Sequence, residues 1–505
     1  MEFQIPFLFV LFTFFLFLLM ATKIVRKSKT KSKLPPGPWR LPLLGNLHQL
    51  VGSLPHHSLG KLAKKYGPLM HLQLGEVSNI IVSSPEMAKE VMKTHDIIFA
   101  SRPYLLAAKI LSYDTKGIAF SPYGSYWREI RKMCMVELLS VKRVESFRSI
   151  REVEVSNLIK MISANEGSPI NLSEKFFQLA YGITSRAALG KTAKDHEAFI
   201  SIVNEGTKLA SGFCVADMFP SIEVLQVISS LRHKLEKLHQ GIDQILQKVL
   251  NEHKDNNLEA KKGDGKADKD IVDVLLRLQR HGDLEHPLTD NSIKAVLLDI
   301  FSAGSETSST TLEWAMSEMV KNPQVMEKAQ AEVRQVFDGK AYVDETYLHE
   351  LKFLRSVIKE TLRLHPTIPL LLPRECSESC DINGYKIPVK TKVIVNAWAI
   401  GRDPRYWTEA EKFYPERFLN SSIDYKGTDF EYIPFGAGRR MCPGITFAMA
   451  NIELPLAQLL YHFDWKLPNG LKQEDLDMTE EFGLSLRRKN NLHLIPMPYH
   501  PLSVK

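Results

Sequence analysis

The run Phe435-Gly436-Ala437-Gly438-Arg439-Arg440-Met441-Cys442-Pro443-Gly444 decides how this chain is read. Glycines on both sides of the cysteine allow a tight backbone turn that presents sulfur to nearby N–H groups. Such donors, with Arg440 two residues earlier, are expected to lower the thiol pKa and favour the thiolate, the form that ligates metal. An apolar helical pattern, Ile445 to Leu460, follows at once. A buried structural cysteine ahead of a helix is the competing reading. The five fixed positions of this run, Phe435, Gly438, Arg440, Cys442 and Gly444, weigh against it.

Upstream, the longest helical signal runs from about Thr289 to Lys321, with Thr289 or Asp290 as cap and Asn322-Pro323 as stop. Ile293, Val296, Leu297, Ile300 and Ala303 form its apolar stripe. Roughly thirty residues would carry it about 45 Å, across the whole body. Its middle, Ala303-Gly304-Ser305-Glu306-Thr307-Ser308, is a poor helix centre by propensity, and its hydroxyls can bond to their own helix and open it. Local rule-breaking of this kind marks function more often than structure. A solvated Ser/Thr face is the plain alternative, and it weakens once the cysteine loop stands beside it.

Together, F-x-x-G-x-R-x-C-x-G and A-G-S-E-T-S resemble the haem-binding loop and oxygen-binding helix of the cytochrome P-450 superfamily of haem-thiolate monooxygenases. The resemblance runs from the proline hinge to the terminus and is nearest to plant microsomal members acting on specialised metabolites. It implies a mainly α fold with a smaller β region. It also implies haem b with Cys442 as the axial thiolate and iron ligand, and Phe435 and Gly436 within the cofactor loop. Ala303 and Gly304 would leave room for dioxygen beside the iron, and Thr307, with Glu306 and bound water, would deliver protons. Trp127 and Arg131 (W-x-x-x-R), Arg374 and Arg440 resemble the propionate partners, since arginine's fork suits a carboxylate. Glu360 and Arg363 (E-x-x-R), with Arg417 in Pro415-Glu416-Arg417-Phe418, resemble a buried bracing triad.

By the same correspondence the substrate pocket draws on Pro103 to Tyr113, Ser211 to Phe219, Ile300 to Ala303, Thr367 to Leu372 and Phe482 to Leu486. An apolar lining selects an apolar substrate. A terpenoid is the leading expectation, with an alkaloid or phenolic as its rival. A reductase-independent haem-thiolate isomerase or dehydratase is the alternative from another class. No G-x-G-x-x-G opens a βαβ unit, so electrons would come from a separate NADPH–cytochrome P-450 reductase. Lys132, Arg439 and Arg440 are the candidate basic docking residues.

The rest of the 505 residues supports this frame. Five scattered cysteines argue against a disulfide framework, and no His or Cys pair completes a zinc site around Cys376 and Cys380. The net charge of +7 is concentrated at the start, where Lys23, Arg26, Lys27, Lys29, Lys31 and Lys33 face only Glu2. The remainder is nearly neutral, which excludes a nucleic-acid binder. Ile5 to Thr22 is uncharged and rich in Phe and Leu, long enough as a helix for about 27 Å of bilayer. Residues 1–22 therefore read as an anchor, 23–38 as a basic, proline-rich hinge and 39–505 as the catalytic domain. The positive flank predicts a single pass in the endoplasmic reticulum membrane, N-terminus lumenal and body cytosolic. Leu69 to Leu74, Asn79 to Ser83 and Tyr385 to Asn396 read as strands, and Glu252 to Lys269 as a mobile surface loop.

Overall fold

The computed structural model describes residues 33–190, 196–209, 214–222, 230–260, 270–282, 284–340 and 343–499. Helices dominate. Those that frame the site are α1 (Ser125–Met133), α2 (Leu172–Leu189), α3 (Leu231–Ala260), α4 (Asp290–Lys321), α5 (Lys352–Leu364) and α6 (Ile445–His462). Strands are few and short. β1 (Leu69–Leu74), β2 (Val77–Val82), β3 (Arg374–Glu375) and β4 (Lys392–Val395) form one sheet in the order β1-β2-β4-β3. β5 (Glu480–Phe482) and β6 (Leu486–Arg488) make a separate hairpin.

α4 is the axle. Thr289 caps it through its side chain, which accepts from the Ser292 N–H at 3.1 Å, and Asn322-Pro323 ends it. Of the predicted stripe, Ile293, Val296 and Leu297 are fully enclosed and Ile300 nearly so. Ala303 breaks the pattern and is exposed, because its methyl opens on an internal cavity. The hydroxyls do not open the helix. Thr307 and Ser308 donate back to Ala303 O (2.6 Å) and Gly304 O (2.8 Å), supplementing a continuous backbone ladder.

α2 and α6 pack against α4. Gly304 allows the closest approach, since a Cβ there would lie 3.2 Å from the Phe447 ring and 3.5 Å from the Thr184 methyl. Successive helical residues turn by 100°, so Gly304 faces Thr184 on α2 and Phe447 on α6 while Ala303 faces the cavity.

β1 spans the expected residues and β4 falls inside the run Tyr385 to Asn396, whereas β2 starts two residues before the predicted Asn79 and ends at Val82. Of the expected loop Glu252 to Lys269, residues 252–260 depart from expectation, and 261–269 lie outside the described residues. Helix α3 continues through Ala260, its end carried by Leu258, Glu259 and Ala260, which favour helix over loop. Lys254 pairs with Asp290 at 2.7 Å, and the His253 ring bonds both Val249 O (2.8 Å) and Asp270 (3.1 Å). Those ties fasten a polar segment that periodicity alone reads as loose. Among the described residues no helix is long and apolar enough to cross a membrane. The expected anchor, 1–22, lies outside the described residues.

Candidate functional site

The cysteine loop is held at both ends. Cys442 N–H donates to Phe435 O at 3.0 Å, closing the turn, and the Phe435 ring meets Tyr425 edge-on, 5.4 Å between centroids. Gly436 and Gly438 have φ of 69° and 68°. At Gly438 a side chain is excluded twice over, by that left-handed backbone and by Met92 O, which would lie 2.0 Å from a Cβ. Asp96 then accepts from the Arg439 N–H at 3.0 Å.

The electrostatics of the sulfur differ from expectation. Burial pushes the Cys442 thiol above its ordinary value, and the Gly444 N–H and Arg131 draw it only part of the way back. Desolvation of the charged form outweighs the donors. A metal, whose charge deprotonates a coordinating thiol outright, supplies what the loop lacks. The arginine that acts on the sulfur is Arg131, not the sequence neighbour Arg440. Arg131 donates to Met441 O at 2.7 Å, while Arg440 turns away to Ala100 O (2.6 Å) and Ser121 O (2.5 Å). The Arg440 guanidinium stacks 4.0 Å above Trp127, whose indole N–H donates to Ile118 O at 3.0 Å.

Arg374 completes the predicted set, bonded to Ala437 O (2.8 Å) and paired with Asp96 (3.3 Å). A fourth cation, Arg102, was missed. It is buried and donates to Leu372 O and Pro373 O at 2.8 Å and to Ala119 O at 3.0 Å. Burial depresses the Arg440 guanidinium to about 9, with Arg374 and Arg131 adding repulsion. Arg102 is depressed by burial and by all three neighbours. Buried like charges this close call for anions, and the carboxylate in contact with the group is Asp96 alone among the described residues. Haem fits that demand, because its two propionates would bring the missing negative charge and its iron would take the Cys442 sulfur.

Beyond the loop, a cavity of about 140 Å³ is lined by Ala303, Glu306, Thr307, Ile368, Leu372 and Leu484, among others. Val203, Thr207 and Ile242 also line it, outside every stretch taken from the resemblance. Part of one such stretch, residues 211–213, lies outside the described residues. Glu306 is buried, paired with Arg487 at 2.7 Å and hydrogen-bonded by the Ser485 hydroxyl. Arg487 reaches on to Asn204 at 3.3 Å, which the Tyr181 hydroxyl also bonds. The acid next to Thr307 is thus fixed by β6 and the residue that precedes it. Nothing in the sequence signals this, since Arg487 lies far along the chain in an ordinary basic run.

Asp299, one turn before Ala303, was also missed. Its carboxylate accepts the Ala119 N–H at 3.0 Å, and a Cβ at Gly117 would strike its Oδ2 at 2.1 Å. It clamps the 117–119 loop over the cavity. Burial pushes this acid up to about 6, against the opposing pull of the Ala119 and Ile118 N–H groups. A folded-state value above the unfolded one means that the folded protein holds its proton longer. Stability from this group is therefore greatest below about pH 4 and declines as pH rises through about 6. The expected loss is on the order of 2–3 kcal/mol, at 1.36 kcal/mol per unit. Denaturation curves of the wild type and Asp299→Asn from pH 4 to 7 should diverge by that amount; parallel curves would refute the assignment.

The bracing triad is fully assembled. Glu360 Oε2 accepts from Arg363 at 2.7 Å and Oε1 from Arg417 at 3.0 Å and the Tyr414 N–H at 2.8 Å. Arg363 spends its remaining donors on Gly401 O, Ala410 O and Lys412 O.

Known proteins agree with this geometry. The family model described as Cytochrome P450 matches residues 35–495. Tabersonine 16-hydroxylase 2 of Catharanthus roseus is 57% identical over 501 residues, covering 98% of each chain. Premnaspirodiene oxygenase of Hyoscyamus muticus is 54% identical over 491 residues, covering 97% of this chain and 98% of the relative. Among solved structures, a zebrafish cytochrome P450 with progesterone superposes with a TM-score of 0.76 at 25% identity, over 89% of this chain and all of that one. With the cysteine loop, the arginine cradle and the cavity on α4 in one body, the chain belongs to the cytochrome P450 family of monooxygenases.

Proposed function

We propose that this protein inserts one oxygen atom from dioxygen into an apolar plant specialised metabolite, a terpenoid in the leading reading. The observation that carries it is the apolar cavity bounded by Ala303 and Thr307 on the helix that also packs against α6, the helix that follows Cys442. Haem held by Cys442 and the propionate partners Arg102, Arg131, Arg374, Arg440 and Trp127 supplies the oxygen-activating chemistry, the thiolate favouring O–O cleavage. The chain's own residues do the rest. Ala303 keeps one cavity wall low. The Thr307 hydroxyl, donating to Ala303 O, keeps its lone pairs toward the cavity to hold a water or pass a proton. Glu306, locked by Arg487 and Ser485, sets the charge beside it. Phe435 and Gly436 shape the loop beneath.

Relatives support both substrate readings. Premnaspirodiene oxygenase and salviol synthase stand beside tabersonine 16-hydroxylase 2 among the similar proteins. The apolar walls favour a terpenoid. Asp299, an acid on the cavity wall, is the specific feature that favours an alkaloid amine.

Residues 1–22 are assigned as a single-pass anchor in the endoplasmic reticulum, 23–38 as hinge and 39–505 as catalytic domain. Electrons come from NADPH through a membrane-bound reductase. Exposed Lys132 and Arg439 suit its docking, whereas Arg440 is buried and does not.

Microsomes carrying this chain and a plant reductase, fed terpenes and alkaloids with and without NADPH, provide the test. An oxygenated product should appear only with NADPH; equal product without it would favour the isomerase reading. Thr307→Ala should keep the thiolate-haem spectrum and lose about a hundredfold or more in product rate, the usual scale of proton-transfer catalysis.

A further inference from the structure

β4 begins with a lysine that the fold encloses. Lys392 is only 8% exposed and opens a strand otherwise made of Val393, Ile394 and Val395. Its backbone lies between Asn79 of β2 and Glu375 of β3, which accounts for the burial. Among the described residues its ammonium has no hydrogen bond and no ion pair within 4.0 Å. The acids nearest to it are committed elsewhere. Asp217 accepts the Leu106 N–H at 2.8 Å and the Cys214 thiol at 2.9 Å, and Glu375 accepts Lys390 at 2.8 Å. Burial lowers the Lys392 pKa, with Asp217, Cys214 and Glu375 only partly opposing it. A buried ammonium without a bonded acceptor is costly.

Lys392 lines a small compartment of about 40 Å³, walled otherwise by apolar side chains and loop backbone such as Leu105, Phe120, Leu370 and Phe482. Phe120, Ile368, Leu372 and Leu484 line both this compartment and the larger cavity at Ala303 and Thr307. The two spaces adjoin through shared walls. A water needs roughly 10–15 Å³ of such space, so the smaller compartment has room for a carboxylate-sized head.

We propose that Lys392 anchors the carboxylate of a substrate whose apolar skeleton fills the larger cavity, an assignment that rests on the oxygenase reading above. A carboxylate answers both needs of the ammonium, supplying acceptor oxygens and the opposite charge, whereas a hydroxyl or ketone supplies only the first. With the head held at Lys392, the length of the skeleton sets which carbon lies beside Thr307. Lys392 is then a specificity residue remote from the reacting atoms.

Binding of matched probes tests this on the haem-loaded full chain. Straight-chain fatty acids from octanoic to hexadecanoic and their methyl esters are compared by equilibrium dialysis. In the wild type at least one acid should bind about tenfold or more tighter than its ester, the scale of a charged hydrogen bond. Lys392→Met should abolish that preference while leaving ester affinity and the thiolate-haem spectrum unchanged, which also shows that the variant is folded. Equal binding of acid and ester at every length in the wild type, or no acid binding at all, overturns the proposal. So does a preference that survives in Lys392→Met. Failure of the oxygenase reading would appear separately, as a missing thiolate-haem spectrum or NADPH-independent product.

Discussion

Replacing Cys442 with serine is expected to abolish the thiolate-haem carbon monoxide signature and reduce oxygen insertion to background, while the fold survives. The loop is closed by backbone, through Cys442 N–H to Phe435 O, and shaped by the glycine at 438 beneath Met92 O. None of those bonds uses the sulfur. Serine is also close in size, so stability should change by no more than about 1 kcal/mol in urea denaturation. The loss is chemical: a hydroxyl resists deprotonation and donates far less electron density to iron than a thiolate does. A Cys442→Ser protein that kept the thiolate signature would sink the assignment of this residue.

Glu360→Ala is the counterpart, expected to damage the fold first. The carboxylate is fully buried and receives Arg363, Arg417 and the Tyr414 N–H. Removing it strands two guanidiniums, at a cost on the order of 3–5 kcal/mol. That is a large share of the about 5–15 kcal/mol that holds a typical domain. Mutating Arg363 as well should not rescue the variant, because Arg363 also serves Gly401 O, Ala410 O and Lys412 O. Urea midpoints and haem content of purified variants provide the measurement. A shift below about 1 kcal/mol would show that this network braces nothing.

Much of the architecture was legible because the signals were local. The cap at Thr289, the stop at Pro323 and the stripe between them place α4 to within a residue at each end. The glycine spacing around Cys442 foretells the turn, and E-x-x-R foretells a one-turn ion pair. What stayed hidden joins distant segments. Arg487 and Glu306, Asp299 and Ala119, and Arg102 and Leu372 each meet only after the chain has folded. No spacing rule links them. The thiol was misjudged for a related reason: donors are visible in sequence, whereas desolvation depends on everything packed around the sulfur. The helical tail of α3 was hidden because its anchors, Asp270 and Asp290, lie beyond the polar stretch itself.

The central sheet carries a consequence for how the protein is made. β2 runs parallel to β4, with Asn79 opposite Lys392. At about 5–20 residues per second, a ribosome needs roughly 15–60 s after making β2 to deliver its partner. Through that interval the β1–β2 hairpin waits with Ile80, Ile81 and Val82 along an open edge, a template for pairing with other nascent chains. Yield in a foreign host should therefore depend on elongation speed and on chaperones that shield this edge, more than on the stability of the finished enzyme.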